Sequence, residues 1–291
     1  MAESPPIEPA GTPVPRPRRR AGRNLPLAIA TGVGLAALLL GALVLARPAF
    51  VVFLLGVVLL ALVELNAAMR AQAVRPAPAI VFPMAALLIV GAYLQGPAAL
   101  SFGMMLTLLG GFGWYLLDRR RAEVARNLAA TVFVVLYLPF LAAHLSLVLA
   151  RAEHYVGAVI GYALVVVVYD TAAYAVGASI GRHPMAPSIS PHKSWEGAAG
   201  GTVLTLLAGA FVLPLWPPWT LASGLTMAAV ACVLAPLGDL AESMIKRDLR
   251  IKDMGSILPG HGGVLDRIDA LLVVAPALYY VLALFSLVGR S

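Results

Sequence analysis

The chain has 291 residues, 60% of them hydrophobic and only 12% charged, against about 25% charged in an ordinary soluble domain. That balance excludes a soluble globular enzyme and points to an all-α, polytopic integral membrane protein. The net charge of +7 does not indicate nucleic acid, because the basic residues are dispersed over short connections and no soluble domain carries a groove; anionic lipid and anionic substrate are the better partners.

In chain order, Met1 to Asn24 is rich in Pro and Arg and reads as a disordered basic cytoplasmic tail. Nine apolar windows follow, at about 26–46, 49–68, 78–95, 98–117, 127–150, 156–179, 198–215, 219–238 and 268–289, each near the length needed to cross a hydrocarbon core. The first two are separated only by Arg47 and Pro48, the third and fourth only near Gln95, Gly96 and Pro97. The expected organisation is a tail at 1–24, amino-terminal and middle helices at 25–150, and a catalytic helical region at 151–291. With the amino terminus in the cytoplasm, all of the 21 basic residues except Arg47, Arg151 and Arg290 fall on the inner side, which places the carboxyl terminus outside. Trp216 and Trp219 then mark the outer interface, where amphipathic indoles are favoured. Cys232, the only cysteine, permits no intramolecular disulfide and no thiolate metal cluster, and reads as a small buried hydrophobe.

Chemistry-bearing residues are sparse in the first five windows. Glu64 stands out as a carboxylate in or at the end of a span, where it needs a partner or an aqueous face; a structural role near the headgroups and a part in a lipid or ion site both fit. His144 and His154 read as core or interfacial histidines. The sixth window ends in VVVVYDTAAYAVG, where Asp170 shares a helical face with Ala173, Tyr174 and Gly177. It should face a cavity, a cation or a positive side chain.

Two polar connections, about 180–197 and 239–267, emerge on the same side and can build one site. The first offers Arg182, Ser188, Ser190, Lys193 and Ser194 as anion donors, and the run Ser194, Trp195, Glu196, Gly197 opens a helix whose free amides can receive a phosphate. In the second, a helix continuing beyond the membrane aligns Asp239, Glu242 or Ser243, and Lys246 on one face. The segment Leu258 to Gly263 is a tight turn with exposed amides, and Asp266 and Asp269 share a face as the last helix begins. Hard carboxylate oxygens with few thiol or imidazole neighbours favour Mg²⁺ over Zn²⁺. The set suits phosphoryl or nucleotidyl transfer, without the GxxxxGK[ST] loop of ordinary ATPases.

The run SMIKRDLRIKDMGSILPGHGGVLDRID, Ser243 to Asp269, resembles the signature of the phosphatidate cytidylyltransferases, or CDP-diacylglycerol synthases. That signature reads S-x-apolar-K-R, four residues, K-D-x-G, then L-P-x-H-G-G-apolar-x-D-R-apolar-D, and every specified position is met. DTAAYAVG, GRH, APSISPHKSWEG and GDLAES are similar to further runs of the same family. The resemblance implies an inner-membrane, Mg²⁺-dependent homodimer of about nine helices that converts CTP and phosphatidate to CDP-diacylglycerol and pyrophosphate at a polar funnel open to the cytoplasm. It further implies Asp239, Asp266 and Asp269 as the cation-holding carboxylates.

Lys193, Lys246, Arg247 and Lys252 are candidates for phosphate contacts, with Asp170, Arg182, Ser190, Ser194, Glu196, Ser243, Gly262, Gly263 and Arg267 as further substrate-binding candidates. Lys252 and Arg267 could instead pair with Asp253 and Asp266. His261 could contact pyrophosphate or fix the turn, His183 and His192 read as loop structure or headgroup contacts, and Asp248 as solvent-facing. The D-G-x-x-A-R pattern of CDP-alcohol phosphotransferases is absent. A membrane transporter is the alternative class, since Asp170 and Glu64 lie in or near spans.

Overall fold

A computed structural model describes residues 25–118, 123–258 and 262–289. The expected tail at 1–24, the basic residues Arg119, Arg120, Arg121 and Arg290, and His261 of the turn lie outside the described residues.

The described chain is helical almost throughout: α1 (Leu25–Leu45), α2 (Arg47–Ala71), α3 (Pro78–Gln95) and α4 (Ala98–Leu117), then α5 (Val124–Arg151), α6 (Tyr155–Ile180), α7 (Trp195–Leu215), α8 (Leu221–Asp248) and α9 (Leu265–Leu284). Eight of these, α2 to α9, are long and apolar enough to cross a membrane, and α1 carries the shorter apolar stretch Gly32–Leu45. The protein is therefore an all-α polytopic membrane protein, with one feature the hydropathy did not foreshadow: a two-stranded hairpin, β1 (Pro184–Ala186) and β2 (Ser190–Ser194), between α6 and α7.

Local chemistry explains the helix ends. Proline falls in the first turn of α2 and of α3, where its missing N–H is no loss. Thr220 and Ser223 form a reciprocal capping box at the start of α8. Within α5 the backbone widens to a π-turn at Leu136–Phe140, which contains Pro139; a proline there cannot donate to the ladder and forces local rewinding. A second π-turn, Ala208–Val212, loosens the end of α7.

Large side chains such as Leu45, Val52, Phe102, Leu109, Leu116 and Phe211 lie exposed on the outside of the bundle, the arrangement of helices whose outer faces meet hydrocarbon. The interior is close-packed around Leu62, Leu88, Leu147, Met227 and Leu278. Trp219, expected at the outer interface, is instead 4% exposed, its indole N–H donating to the Gly157 carbonyl at 2.9 Å. A Cβ added at Gly161 would sit 2.2 Å from that indole nitrogen, so the small α6 residues admit the ring into the bundle. Cys232 is only partly buried, and His144 is buried, with its Nδ1 3.0 Å from the Phe140 carbonyl.

Helices α7 and α8 meet backbone to backbone. A Cβ at Gly224 would lie 2.3 Å from the Gly209 carbonyl oxygen, a contact that no rotamer change relieves. Gly224→Ala is expected to destabilise the protein by about 1–3 kcal/mol through overpacking, seen as a lower thermal midpoint in detergent. Gly56→Ala, where a Cβ meets nothing within 4 Å, should leave the midpoint unchanged or raise it.

Candidate functional site

The site begins where α6 ends. The chain leaves Ile180, runs through the hairpin and re-enters as α7, whose N-cap Ser194 accepts the Gly197 amide at 3.1 Å. Glu196 accepts the amides of Arg182 and His183 at 3.1 and 3.2 Å, and its Oε1 lies 2.5 Å from His183 Nδ1. Ser194 and Glu196, candidates for substrate contact, thus hold the root of the hairpin, and His183 belongs to the same framework. Arg247, on α8, donates from Nε to the Ile189 carbonyl at 3.3 Å, fastening the hairpin tip to that helix.

Behind the hairpin lies a cavity of about 800 Å³, within the usual ~300–1,000 Å³ of small-molecule sites. It brings together six sequence candidates, Asp170, Arg182, Ser190, Lys193, Ser194 and Asp239. The Lys193 ammonium donates to Asp239 Oδ2 at 2.5 Å, each side chain 28% exposed. Asp170 lines the same cavity from α6, so its carboxylate meets the cavity its position called for, beside Asp239 and Lys193.

Deeper in, a second network forms because α8 does continue unbroken to Asp248. That extension places Asp239, Glu242 and Lys246 along one face. Lys246 Nζ donates to Glu242 Oε2 at 2.5 Å and to Asp266 Oδ1 at 2.8 Å. Asp266 Oδ2 accepts the amides of Met254 and Gly263 at 3.0 and 2.9 Å, so both its oxygens are engaged, and its counter-ion is Lys246. Asp269 is buried beside Asp239 and Glu242. This contact exists because Gly238 lets α8 and α9 cross closely: a Cβ there would lie 3.0 Å from both the Ala270 Cα and the Asp269 carbonyl.

Leu258 donates its amide to the Gly262 carbonyl at 3.0 Å, and Gly262 adopts φ 84°, a conformation that L side chains enter only with strain. Ser243 is partly buried on α8, and Lys252, Arg267 and Asp248 are exposed.

Two participants carried little sequence signal. Glu242 is 2% exposed with Oε1 lacking any hydrogen bond; its spacing from Lys246 was visible, its burial was not. Tyr137, on the α5 π-turn, has a buried, unpartnered hydroxyl among Glu242, Asp269 and Asp239. Nothing in the apolar run around it announces that role.

The region fits a hard divalent cation. Its donors are carboxylates, the buried Asp269 lies beside Asp239 and Glu242, and Glu242 keeps one oxygen unsatisfied; gathered carboxylates of this kind are costly to bury without enough positive charge. Among the described residues no three ligating side chains already converge on one point. Of the three aspartates that the resemblance assigned to the metal, Asp239 and Asp269 lie beside each other and Glu242, while Asp266 is tied to Glu242 through Lys246.

A water-accessible cavity set against buried carboxylates and ammoniums, at one end of a polytopic helix bundle, defines a membrane-embedded enzyme that handles anionic substrates. The sequence model of the Cytidylyltransferase family matches residues 27–285, and the chain belongs to that family. It is 36% identical to a phosphatidate cytidylyltransferase of Mycobacterium leprae, over 91% of this chain and 89% of that protein. It is 32% identical to the protein of that name in Mycobacterium tuberculosis strain H37Rv, over 91% and 84%. Over about half of each chain, 49% and 54%, it is 45% identical to the protein of that name in Bacillus subtilis.

Proposed function

We propose that the protein transfers CMP from CTP to phosphatidate, giving CDP-diacylglycerol and pyrophosphate. The observation that carries this reading is a cavity lined by Asp170, Arg182, Lys193 and Asp239, with Asp239 beside the buried Asp269 and Glu242, in a chain whose near full-length relatives bear that activity's name. In the reaction a phosphatidate phosphate oxygen attacks the α-phosphorus of CTP, the bond from that phosphorus to the bridging oxygen of the β-phosphate breaks, and pyrophosphate leaves. The nucleophile is already an anion, so no dedicated general base is required. Asp239 and Asp269, with Asp266 beside them, would hold Mg²⁺, which would supply charge neutralisation on the nucleotide phosphates.

The chain's own groups do the rest. Lys193 and Arg182 meet phosphate oxygens in the cavity, while Ser190 adds a neutral donor. Lys246 holds Asp266 and Glu242 in place, and Gly262 and Gly263 allow close approach of a phosphate chain. Arg247 secures the hairpin, and Lys252 and Arg267 draw anionic substrate to the entrance. The basic connections face the cytoplasm by the positive-inside rule, which puts the cavity on the cytoplasmic side of a bacterial inner membrane. The enzyme works as a homodimer in this reading.

Purified protein incubated with phosphatidate, Mg²⁺ and each of CTP, dCTP, ATP, GTP and UTP tests it. The expected result is cytidine-dependent formation of pyrophosphate and nucleotide-linked lipid, abolished by EDTA. Folded protein that makes neither product with any nucleotide would refute the reading and favour transport.

A further inference from the structure

Glu64 lies on α2, far in sequence from every residue assigned to the reaction, yet its carboxylate reaches the signature turn. It is 4% exposed, and its Oε2 accepts the Leu265 amide at 3.1 Å across 201 positions of sequence. Leu265 opens α9, and the first amides of a helix have no partner within it. Val264, the residue at the N-cap position, brings no side-chain cap, so a carboxylate from another helix takes that part, where a negative charge also complements the helix dipole.

The amides of Val264 and Ile257 face the same group. Packing around it is tight: a Cβ on Gly255 would lie 2.3 Å from Oε1, and one on Gly263 2.8 Å from Oε2. Residues on both sides of the 258–263 turn therefore wrap one anion. Gly263 in turn gives its amide to Asp266, which links Glu64 to the Lys246 network through a single residue.

No ammonium or guanidinium forms an ion pair with Glu64 among the bonds of the described residues, and Oε1 has no hydrogen bond. An apolar residue of similar size would satisfy packing in α2 without the penalty of burying a charge. What a carboxylate adds is the gathering of turn amides.

We infer that Glu64 is a positioning residue of the transfer reaction, holding the described backbone on either side of the turn, 255–258 and 262–265, so that Gly262 and Gly263 are presented to the substrate phosphates and Asp266 is held against Lys246. This rests on the proposed function for its kinetic consequence, and on geometry alone for its structural one.

The test compares wild type, Glu64→Leu and Glu64→Gln in lipid nanodiscs by cytidylyl-transfer kinetics and by amide hydrogen exchange. Glu64→Leu should lower kcat about 100-fold, the scale of a small misplacement of reacting groups, and speed exchange across 255–265 while leaving the hairpin at 184–194 unchanged. Glu64→Gln keeps an acceptor for the Leu265 amide and should retain kcat within about tenfold, a rescue that a bare packing role would not require of the amide. Wild-type kcat in Glu64→Leu, exchange at 255–265 that does not change, or faster exchange spread evenly over all helices would each overturn the inference. If Glu64→Leu yields no folded protein, Gly255→Ala presses on the same carboxylate and must speed the same amides. Wild-type protein inactive with every nucleotide would instead refute the reaction, and the exchange comparison would still decide the role of Glu64.

Discussion

Lys246→Met is expected to destabilise the protein by about 3–5 kcal/mol, the cost of leaving buried charges without their partner. Lys246 is the only cation bonded to Glu242 and Asp266 among the described residues, and Glu242 is 2% exposed. Methionine fills similar volume, so lost packing contributes little. Adding Glu242→Gln removes one of the two orphaned anions. The double variant should therefore recover part of the stability lost, a coupling that a thermodynamic cycle of thermal or denaturant midpoints in detergent measures. If the single and double variants are equally destabilised, Glu242 does not depend on Lys246 for its charge. Activity should stay low in both, because Asp266 still lacks its cation.

Much of this architecture was legible before any coordinates. Each apolar window overlaps a described helix, and eight of those helices are long and apolar enough to cross a membrane, because a span must satisfy its backbone internally and exclude charge over a fixed length. The alignment of Asp239, Glu242 and Lys246 followed from helical spacing once α8 was taken past the membrane, and it does run to Asp248. The signature from Ser243 to Asp269 pointed to the family that the comparisons establish.

What stayed hidden depends on contacts between distant segments. Glu64 and Leu265 are joined by packing of α2 against the start of α9, and no local pattern encodes that meeting. The hairpin escaped because Ser, Pro and His in its strands do not alternate polar with apolar residues; Glu196 and Arg247 hold it from outside. Trp219 carried the composition of an interface anchor, and only the notch at Gly157 and Gly161 turns it inward. The framework part of Ser194 and Glu196 was not separable from a ligand part in the sequence, because the residue types that cap helices and turns are the same ones that bind phosphate.

Lys193→Met, by contrast with Lys246→Met, should leave stability nearly intact and remove most of the activity. Its pair with Asp239 lies at the cavity, with both side chains 28% exposed, where water replaces a lost partner and an ion pair adds at most about 1 kcal/mol. Its chemistry is less replaceable. Lys193 lines the same cavity as Asp170 and Asp239, and of the lining residues only it and Arg182 carry a fixed positive charge toward a nucleotide phosphate there. Removing one preorganised positive donor to a developing phosphate charge lowers kcat/KM by about 10²–10³. Steady-state kinetics with CTP varied at saturating phosphatidate would read that loss, while the thermal midpoint stays close to wild type. Lys193→Arg keeps the charge but changes its shape and reach, so it should recover only part of the rate. A Lys193→Met protein that unfolds early while retaining its rate when folded would place Lys193 in the framework with Glu196 and Arg247, and leave Arg182 as the cavity's phosphate-binding cation.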